Sequence, residues 1–231
     1  MKAGVADVSR SRERIRSSGI YLVTDTLLCG PRGVVETVRA AVAGGVETIQ
    51  VREKDASAAD FYALVLAVAE AAAGRATVLV DDRVDIYLAA RAARADVHGV
   101  HVGQKDLPAE LVRTLVGPDA VVGLTANTTE HLDALAVLPP GTVDYLGAGV
   151  IRPTHTKPDH PEPLGVEGFA GFAARAPLPV VAIGGILHHD VGPLRAAGAT
   201  GAAVVSAICA AADPQRAAAD LVRAWNAGIP A

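Results

Sequence analysis

The stretch VETIQVREKDASAADFYALVLAVAEAAAGRATVLVDD, from Val46 to Asp82, contains two short apolar runs on either side of a longer Ala-rich segment. The first run is Val46–Val51 and the second is Ala76–Val80. Between them, residues 57–73 place apolar side chains near helical spacing. This order predicts a strand, a helix and a second strand, and such alternation is typical of a parallel sheet.

The same alternation continues along the chain. Apolar runs predict strands at residues 20–24, 46–51, 76–80, 97–102, 120–124, 143–147, 179–183 and 202–205. Helical spacing predicts helices at residues 33–43, 57–73, 83–94, 108–116, 128–137, 166–175, 189–197 and 213–227. Eight such units favour an α/β fold closed into a single (βα)8 TIM barrel, because open doubly wound sheets usually have fewer strands.

Composition limits the class of protein. The chain has 231 residues, of which 51% are hydrophobic but only 3% aromatic, which predicts one domain with a large aliphatic core. The formal net charge of −4 argues against a general nucleic-acid binder. No apolar run approaches the roughly 18 residues of a membrane span. Two distant cysteines, Cys29 and Cys209, cannot form a zinc cluster alone.

The predicted barrel occupies residues 19–231, and residues 1–18 precede it. This N-terminal segment carries arginines but lacks the apolar region of a signal peptide, so a cytoplasmic protein is expected. We expect a flexible arm or a frayed helix here. A role of its arginines in binding nucleic acid or membrane is the less favoured alternative.

Polar residues follow the second and third predicted strands, at the end where barrels carry their active sites. Gln50, Arg52 and Lys54 alternate onto one face and suit an anion, although a buried Arg–Glu pair closing the barrel is the alternative. Asp81 and Asp82 are two adjacent carboxylates, which are costly to bury without a cation. Alternatively, one of them caps the following helix.

A third carboxylate, Asp106, follows the fourth predicted strand, which is the neighbour of the third strand in the barrel. Asp82 and Asp106 can therefore share one metal ion, and Mg²⁺ prefers carboxylates together with substrate phosphates.

His98 and His101 lie three residues apart on the fourth predicted strand and face opposite sides. We therefore expect a packed or hydrogen-bonded histidine here, not a metal site built from two histidines.

The remaining strands are followed by small polar residues. Thr125 and Asn127 follow the fifth strand, where they can contact a substrate or cap the next helix. Thr154, Thr156 and Lys157 follow the sixth strand, where they supply hydroxyls and a cation or belong to a solvated loop. After strands seven and eight come Gly184-Gly185 and Val205-Ser206, where many barrels bind phosphate through backbone N–H groups. This pattern predicts a monophosphate site there.

Two anion sites therefore follow from the residues alone. One is the monophosphate site after strands seven and eight. The other combines Gln50, Arg52 and Lys54 with carboxylate-bound Mg²⁺, and this combination suits a pyrophosphate. The sequence contains no nucleotide P-loop, no nucleophile elbow and no evident Ser/His/Asp or Cys/His set. These features favour a metal-assisted transfer that expels pyrophosphate over hydrolysis by a side-chain nucleophile.

Seven short motifs between Ile20 and Trp225 resemble, in order and spacing, the thiamine-phosphate synthase family. They are Tyr21–Asp25, Gln50–Lys54, Asp82–Asp85, His101–Asp106, Pro153–Lys157, Ile183–Ile186 and Val205–Ile208. The resemblance implies a transferase that condenses 4-amino-2-methyl-5-hydroxymethylpyrimidine diphosphate with hydroxyethylthiazole phosphate and releases pyrophosphate. It implies small-molecule substrates, with neither nucleic acid nor membrane as partner. The oligomeric state stays open, a homodimer being one option.

The resemblance also implies roles for individual residues. The pyrimidine diphosphate would contact Gln50, Arg52, Glu53 and Lys54. Thr125 would contact a substrate, and Asp81 would be either a substrate contact or a further metal ligand. Asp82 and Asp106 would hold Mg²⁺. Thr154, Thr156 and Lys157 would contact the substrates and the departing pyrophosphate, and Gly185, Val205 and Ser206 would hold the thiazole phosphate. Arg52, Lys54 and Lys157 would be catalytic, because cations stabilise the leaving group, so that the bond ionises before the thiazole nitrogen attacks.

This chain departs from the family pattern at several positions. Asp81 stands where Asn is common, Thr125 and Asn127 stand where Ser and His are frequent, and Arg152 replaces an aromatic or apolar residue. Two alternatives therefore stay open. One is the related thiazole tautomerase, which is expected to lack the diphosphate and metal residues. The other is a non-catalytic barrel that binds a phosphate ligand.

Overall fold

The computed structural model describes residues 11–154 and 162–227. Within them, eight parallel strands form a closed barrel in which β8 pairs with β1. In order, β1 to β8 are Gly19–Val23, Thr48–Val51, Thr77–Asp81, Gly99–Val102, Val121–Thr125, Tyr145–Gly149, Val180–Ile183 and Gly201–Val204. The predicted (βα)8 barrel is confirmed.

A helix follows each strand and packs outside it. In order, α1 to α8 are Gly33–Ala43, Ala58–Ala72, Val84–Ala92, Ala109–Val116, Thr129–Ala136, Gly165–Ala173, Val191–Ala196 and Pro214–Ala227. Every predicted strand and helix is present, with bounds within two residues of those expected. Two one-turn helices, Thr26–Cys29 and Ser206–Cys209, were not predicted from the sequence. No helix in the described ranges combines the length and apolar character needed to cross a bilayer.

The core has two layers, as a barrel requires. Side chains between the strands and the helices form the larger, mainly aliphatic cluster, as the composition predicted. The barrel interior holds a smaller cluster that includes Tyr21, Leu79 and Tyr145. Gly123 makes room for it, because a Cβ at this position would lie 2.3 Å from the Tyr145 ring and 2.4 Å from His101 Nδ1.

A short helix at residues 11–16 closes the N-terminal end of the barrel. Ile15 is 1% exposed and packs into the interior cluster. Arg12 Nε lies 2.8 Å from Asp144 Oδ1, and Arg12 Nη2 donates to the carbonyl of Pro118. Of the two expected forms, a flexible arm or a frayed helix, residues 11–16 therefore adopt the helix, and the burial of Ile15 packs this helix against the barrel. Residues 1–10 lie outside the described ranges.

Candidate active site

A cavity of about 210 Å³ opens at the C-terminal ends of the strands, opposite the N-terminal helix. Residues after every strand except the first contribute polar or glycine surface to it. Eleven of the predicted site residues line this cavity: Gln50, Arg52, Lys54, Asp81, Asp82, Asp106, Thr125, Thr154, Gly185, Val205 and Ser206. The interpretation that polar residues gather at this end of the barrel is confirmed.

Lys54 lies between two carboxylates on one side of the cavity. Its Nζ contacts Asp82 Oδ2 and lies 3.1 Å from Asp81 Oδ2, while Arg52 Nε lies 3.8 Å from the same Asp81 oxygen. Partial burial lowers the pKa of Lys54, but the two carboxylates more than offset this, so that its pKa is raised and the ammonium stays charged. This side of the cavity thus presents two fixed cations.

Asp81 is the most enclosed of these acids. It ends β3 and is only 9% exposed. Burial raises its pKa, and the nearby Lys54 and Arg52 oppose that rise without reversing it. At this position the chain thus places a buried carboxylate with two cations close by.

Asp82 follows in a left-handed backbone conformation, with φ of +57°. This conformation is uncommon outside glycine and is better tolerated by Asp than by most residues. Helix α3 begins two residues later at Val84, and no side chain caps its N-terminus. The alternative that Asp81 or Asp82 serves as a helix cap is therefore wrong, and both carboxylates face the cavity instead.

Asp106 brings a third carboxylate to the same edge. Its Oδ2 accepts a hydrogen bond from Gly103 N at 2.7 Å. Partial burial raises its pKa and the adjoining Asp82 raises it further, whereas the bond from Gly103 lowers it. Two carboxylates this close repel one another when both are ionised, and a divalent cation relieves that repulsion.

The donor set fits magnesium only if the ligand shell is shared with a substrate. Among the residues that the structure describes, no three His, Cys, Asp or Glu side chains are grouped as a metal cluster. Asp82 and Asp106 supply oxygen ligands, and Mg²⁺ commonly binds through one or two carboxylates together with waters and substrate phosphates. These two residues are therefore suited to a cation that arrives with a diphosphate.

A chain of hydrogen bonds crosses the barrel beneath the cavity. Gln50 Nε2 donates to Tyr21 Oη at 2.9 Å, and Tyr21 Oη lies 3.0 Å from Tyr145 Oη. Tyr145 Oη lies 2.9 Å from His101 Nδ1, whose Nε2 lies 3.0 Å from Thr125 Oγ1. Burial raises the pKa of both tyrosines, so that they remain neutral phenols. The two tyrosines thus give the cavity floor neutral hydroxyl groups that can donate and accept hydrogen bonds.

His101 is hydrogen-bonded inside the barrel, as the sequence predicted. His98 lies elsewhere, where its Nδ1 accepts from Val78 N at 3.0 Å. Tyr21 and Tyr145 were not predicted as site residues. One signal was available, since the chain contains only four tyrosines and both occupy strands at positions of a single inward face.

The opposite side of the cavity is built from backbone and small side chains. Gly184 and Gly185 follow β7 with φ of +95° and +66°. Val205 and Ser206 follow β8, and Ser206 begins the one-turn helix Ser206–Cys209. A glycine pair lets a ligand approach main-chain N–H groups closely, which suits phosphate. No carboxylate lines this side among the described residues.

One predicted site residue within the described ranges, Glu53, lies outside the cavity. Glu53 is not part of its lining; its carboxylate accepts from Lys54 N at 2.8 Å, from Asp55 N at 3.0 Å and from the Thr26 hydroxyl. Glu53 therefore shapes the loop after β2. Thr156 and Lys157 lie outside the described residues.

Asn127 is a lining residue whose role only the structure indicates. Its Oδ1 accepts a hydrogen bond from Gly149 N at 3.0 Å. This contact ties the loop after β5 to the end of β6. The Asn127 side chain thus has a structural partner within the barrel mouth.

A match to a family model identifies the family of this chain. The family model described as thiamine monophosphate synthase matches residues 20–208. The chain belongs to the thiamine monophosphate synthase family. The matched range begins within β1 and ends within the one-turn helix after β8, so it includes every strand that contributes to the cavity.

Individual members of the family are similar over nearly their whole length. Thiamine-phosphate synthase from Psychrobacter sp. is 43% identical over 199 residues, which cover 86% of this chain and 91% of that protein. The Corynebacterium efficiens protein of the same name is 47% identical over 195 residues, covering 84% and 90%.

Solved structures support the same assignment. A thiamine phosphate pyrophosphorylase from Pyrococcus furiosus superposes with a TM-score of 0.80 at 30% identity, covering 94% of this chain and 99% of that chain. The 3-hexulose-6-phosphate synthase of Salmonella typhimurium, at 17% identity and a TM-score of 0.66, covers 91% of this chain and 100% of its own and shares the fold.

Proposed function

We propose that the protein is a thiamine-phosphate synthase, a transferase that joins a pyrimidine diphosphate to a thiazole phosphate and releases pyrophosphate. One observation carries the proposal beyond family membership. The cavity has two unlike anion-binding sides, one with Lys54, Arg52 and paired carboxylates, the other with bare backbone at Gly184-Gly185 and Ser206. Two differently phosphorylated substrates can thus face one another across it.

The diphosphate belongs on the cationic side. Lys54 and Arg52 provide two positive charges. The main-chain N–H of Arg52 donates to Thr24 Oγ1 at 3.0 Å, which fixes the backbone of this residue against β1. Asp82 and Asp106 would hold Mg²⁺, which when bound would neutralise negative charge on the diphosphate. The Lys54 ammonium contacts Asp82 and so neutralises part of the negative charge of the carboxylates.

Cleavage then requires stabilisation of a leaving group and no protein nucleophile. The bond between the pyrimidine methylene carbon and the diphosphate oxygen breaks, and its electron pair leaves on pyrophosphate, stabilised by Lys54 and Arg52. The thiazole nitrogen donates its lone pair to the methylene carbon and forms the new C–N bond. The thiazole phosphate, held at Gly185, Val205 and Ser206, orients that nitrogen.

The remaining predicted residues, which follow the fifth and sixth strands, would contact the substrates. Thr125 and Thr154 line the cavity between its two sides and are placed to meet a substrate there. Thr156 and Lys157 would add contacts to the departing pyrophosphate. Because both substrates carry charged phosphates that do not cross a lipid bilayer unaided, we propose that the protein works in the cytoplasm. A homodimer also stays a proposal, which light scattering tests.

The decisive experiment measures pyrophosphate release with both substrates, with each substrate alone, and with excess chelator. A synthase requires both substrates and Mg²⁺, and forms thiamine phosphate in a 1:1 ratio to pyrophosphate. Lys54→Met, which keeps the length of the side chain without the charge, should reduce the rate at least about 100-fold, since single electrostatic contacts to a transition state are commonly worth that much.

Other outcomes identify the alternatives. Isomerisation of a thiazole carboxylate phosphate without pyrophosphate release would indicate the tautomerase. Binding of both phosphorylated ligands without turnover would indicate a non-catalytic barrel. The described site disfavours the tautomerase, because the carboxylate pair and Lys54 have no task when no diphosphate is present.

A further inference from the structure

An arginine–aspartate pair fastens the loop after β6 to the loop after β7. Arg152 Nε donates to Asp190 Oδ2 at 2.8 Å, and Arg152 Nη2 donates to Asp190 Oδ1 at 2.6 Å. Asp190 Oδ2 also accepts from Leu187 N at 2.9 Å. Two parallel charge-assisted bonds fix the orientation of both side chains. This pair is called the Arg152–Asp190 strap.

The Gly184-Gly185 turn packs against the main chain at the Arg152 end of the strap. Arg152 N and Ile151 N both donate to Gly184 O at 3.0 Å. A Cβ on Gly185 would lie 2.7 Å from Arg152 O and 2.9 Å from Arg152 Cβ. The main chain of Arg152 therefore supports the turn from one side, while its guanidinium reaches Asp190 beyond the turn.

The strap differs from an ordinary surface ion pair. Exposed pairs contribute little, because water screens them and both side chains must be ordered. Here the carboxylate side chain is only 2% exposed, and three hydrogen bonds fill its oxygens. The hydrogen bond from Arg152 lowers the pKa of Asp190, which keeps the carboxylate ionised. Removal of Arg152 would leave a buried charge without its partner, and such a group forces its surroundings to rearrange.

We propose that Arg152 is a positioning residue for the phosphate site: through Asp190 it holds the Gly184-Gly185 turn in the conformation that presents main-chain N–H groups to the thiazole phosphate. The identity of that ligand rests on the proposed function, whereas the anion site itself does not. Arg152 acts through Asp190 and the turn, not by contact with the substrate.

The test is a double-mutant cycle of Arg152→Ala, Asp190→Asn and the combined variant, with each substrate varied in turn. We expect each single variant to raise KM for the thiazole phosphate about tenfold, and the combined variant to raise it no further. The kcat and the KM for the pyrimidine diphosphate should stay within about twofold of wild type. Arg152→Lys should recover only part of the effect, since Lys keeps the charge but lacks the bidentate fork.

A second readout does not depend on the reaction. Inorganic phosphate, titrated by calorimetry, should bind the wild type more tightly than either single variant. If the wild type binds phosphate but makes no thiamine phosphate, the proposed function fails while the strap stands. Arg152→Lys and Asp190→Asn are milder changes that keep the test decisive if Arg152→Ala does not fold.

A matched control breaks a comparable ion pair at the other end of the barrel. Arg113 Nη2 donates to Asp144 Oδ2 at 2.7 Å, before β6 begins. Arg113→Ala should lower the melting temperature without changing either KM. The proposal is overturned if the effects of Arg152→Ala and Asp190→Asn add, if both KM values rise equally, or if phosphate binds Arg152→Ala as tightly as wild type. Failure of the wild type to bind phosphate overturns it as well.

Discussion

Gly185→Ala tests the assignment of the phosphate side of the cavity. The new Cβ would lie 2.7 Å from Arg152 O and 2.9 Å from Pro153 O, and it would have to adopt φ of +66°. A left-handed conformation costs an alanine about 1–2 kcal/mol, and the close contacts add to that cost unless the turn moves. We therefore expect the turn to shift and its N–H groups to leave their position.

The size of the effect follows from the contact that is lost. A hydrogen bond to a charged group contributes about 1.5–3 kcal/mol, which corresponds to about 10- to 150-fold in affinity. We expect KM for the thiazole phosphate to rise within this range. KM for the pyrimidine diphosphate should hardly change, because Gln50, Arg52 and Lys54 lie on the other side of the cavity. Initial-rate measurements of pyrophosphate release, with each substrate varied separately, provide both values.

Gly171→Ala is the matched control. Gly171 lies within α6, and a Cβ there would meet no atom within 4 Å. The same substitution should leave both KM values unchanged and stabilise the helix by up to about 1 kcal/mol. A normal KM for the thiazole phosphate in Gly185→Ala, or a rise confined to the pyrimidine diphosphate, would refute the assignment of the two anion sides.

Four further predictions follow from the same structure. Asp106→Asn should reduce turnover at least about 100-fold and weaken the dependence on Mg²⁺, with little loss of melting temperature; unchanged activity would remove Asp106 from the site. Asp81→Asn should be tolerated in turnover, because it restores the common family residue, and a weakened response to Mg²⁺ in a metal titration would instead identify Asp81 as a ligand. Because the pKa of Asp190 is lowered on folding, its ion pair stabilises the fold above its unfolded pKa of about 3.9 and loses this contribution as pH falls through the lower folded value. Urea unfolding should therefore show the largest stability difference between wild type and Asp190→Asn above about pH 4 and a shrinking difference below it; a constant difference would contradict the pairing. Ile15→Ala should cost about 2–5 kcal/mol in unfolding free energy, since Ile15 is buried, and a neutral result would show that the N-terminal helix is not docked in solution.

Much of the fold is predictable because its signals are local. The spacing of apolar residues separates strand from helix within a few positions, so all strands and all helices α1 to α8 were found. The ends of parallel strands meet at one end of a barrel, so the residues after them could be grouped without coordinates. This reasoning correctly brought together Lys54, Asp82 and Asp106 from three different loops.

The directions of side chains within loops were much less predictable. Glu53 lies between two cavity residues in the sequence, yet it turns away to accept hydrogen bonds from its own loop. Asp82 reaches the cavity because its backbone has a positive φ, and the residue type alone does not predict this conformation. Loop dihedral angles depend on contacts with other loops, and periodicity contains no information about those contacts.

The sequence by itself determined the eight repeated units, the aliphatic core and the set of charged residues at the barrel mouth. Only the tertiary structure revealed the pairing of Arg152 with Asp190, the hydrogen bond between His101 and Tyr145, and the docking of Ile15. These contacts join residues from different units of the barrel. They form because closure of the barrel brings distant strand ends within a few ångströms, a proximity set by the whole fold and not by any one segment.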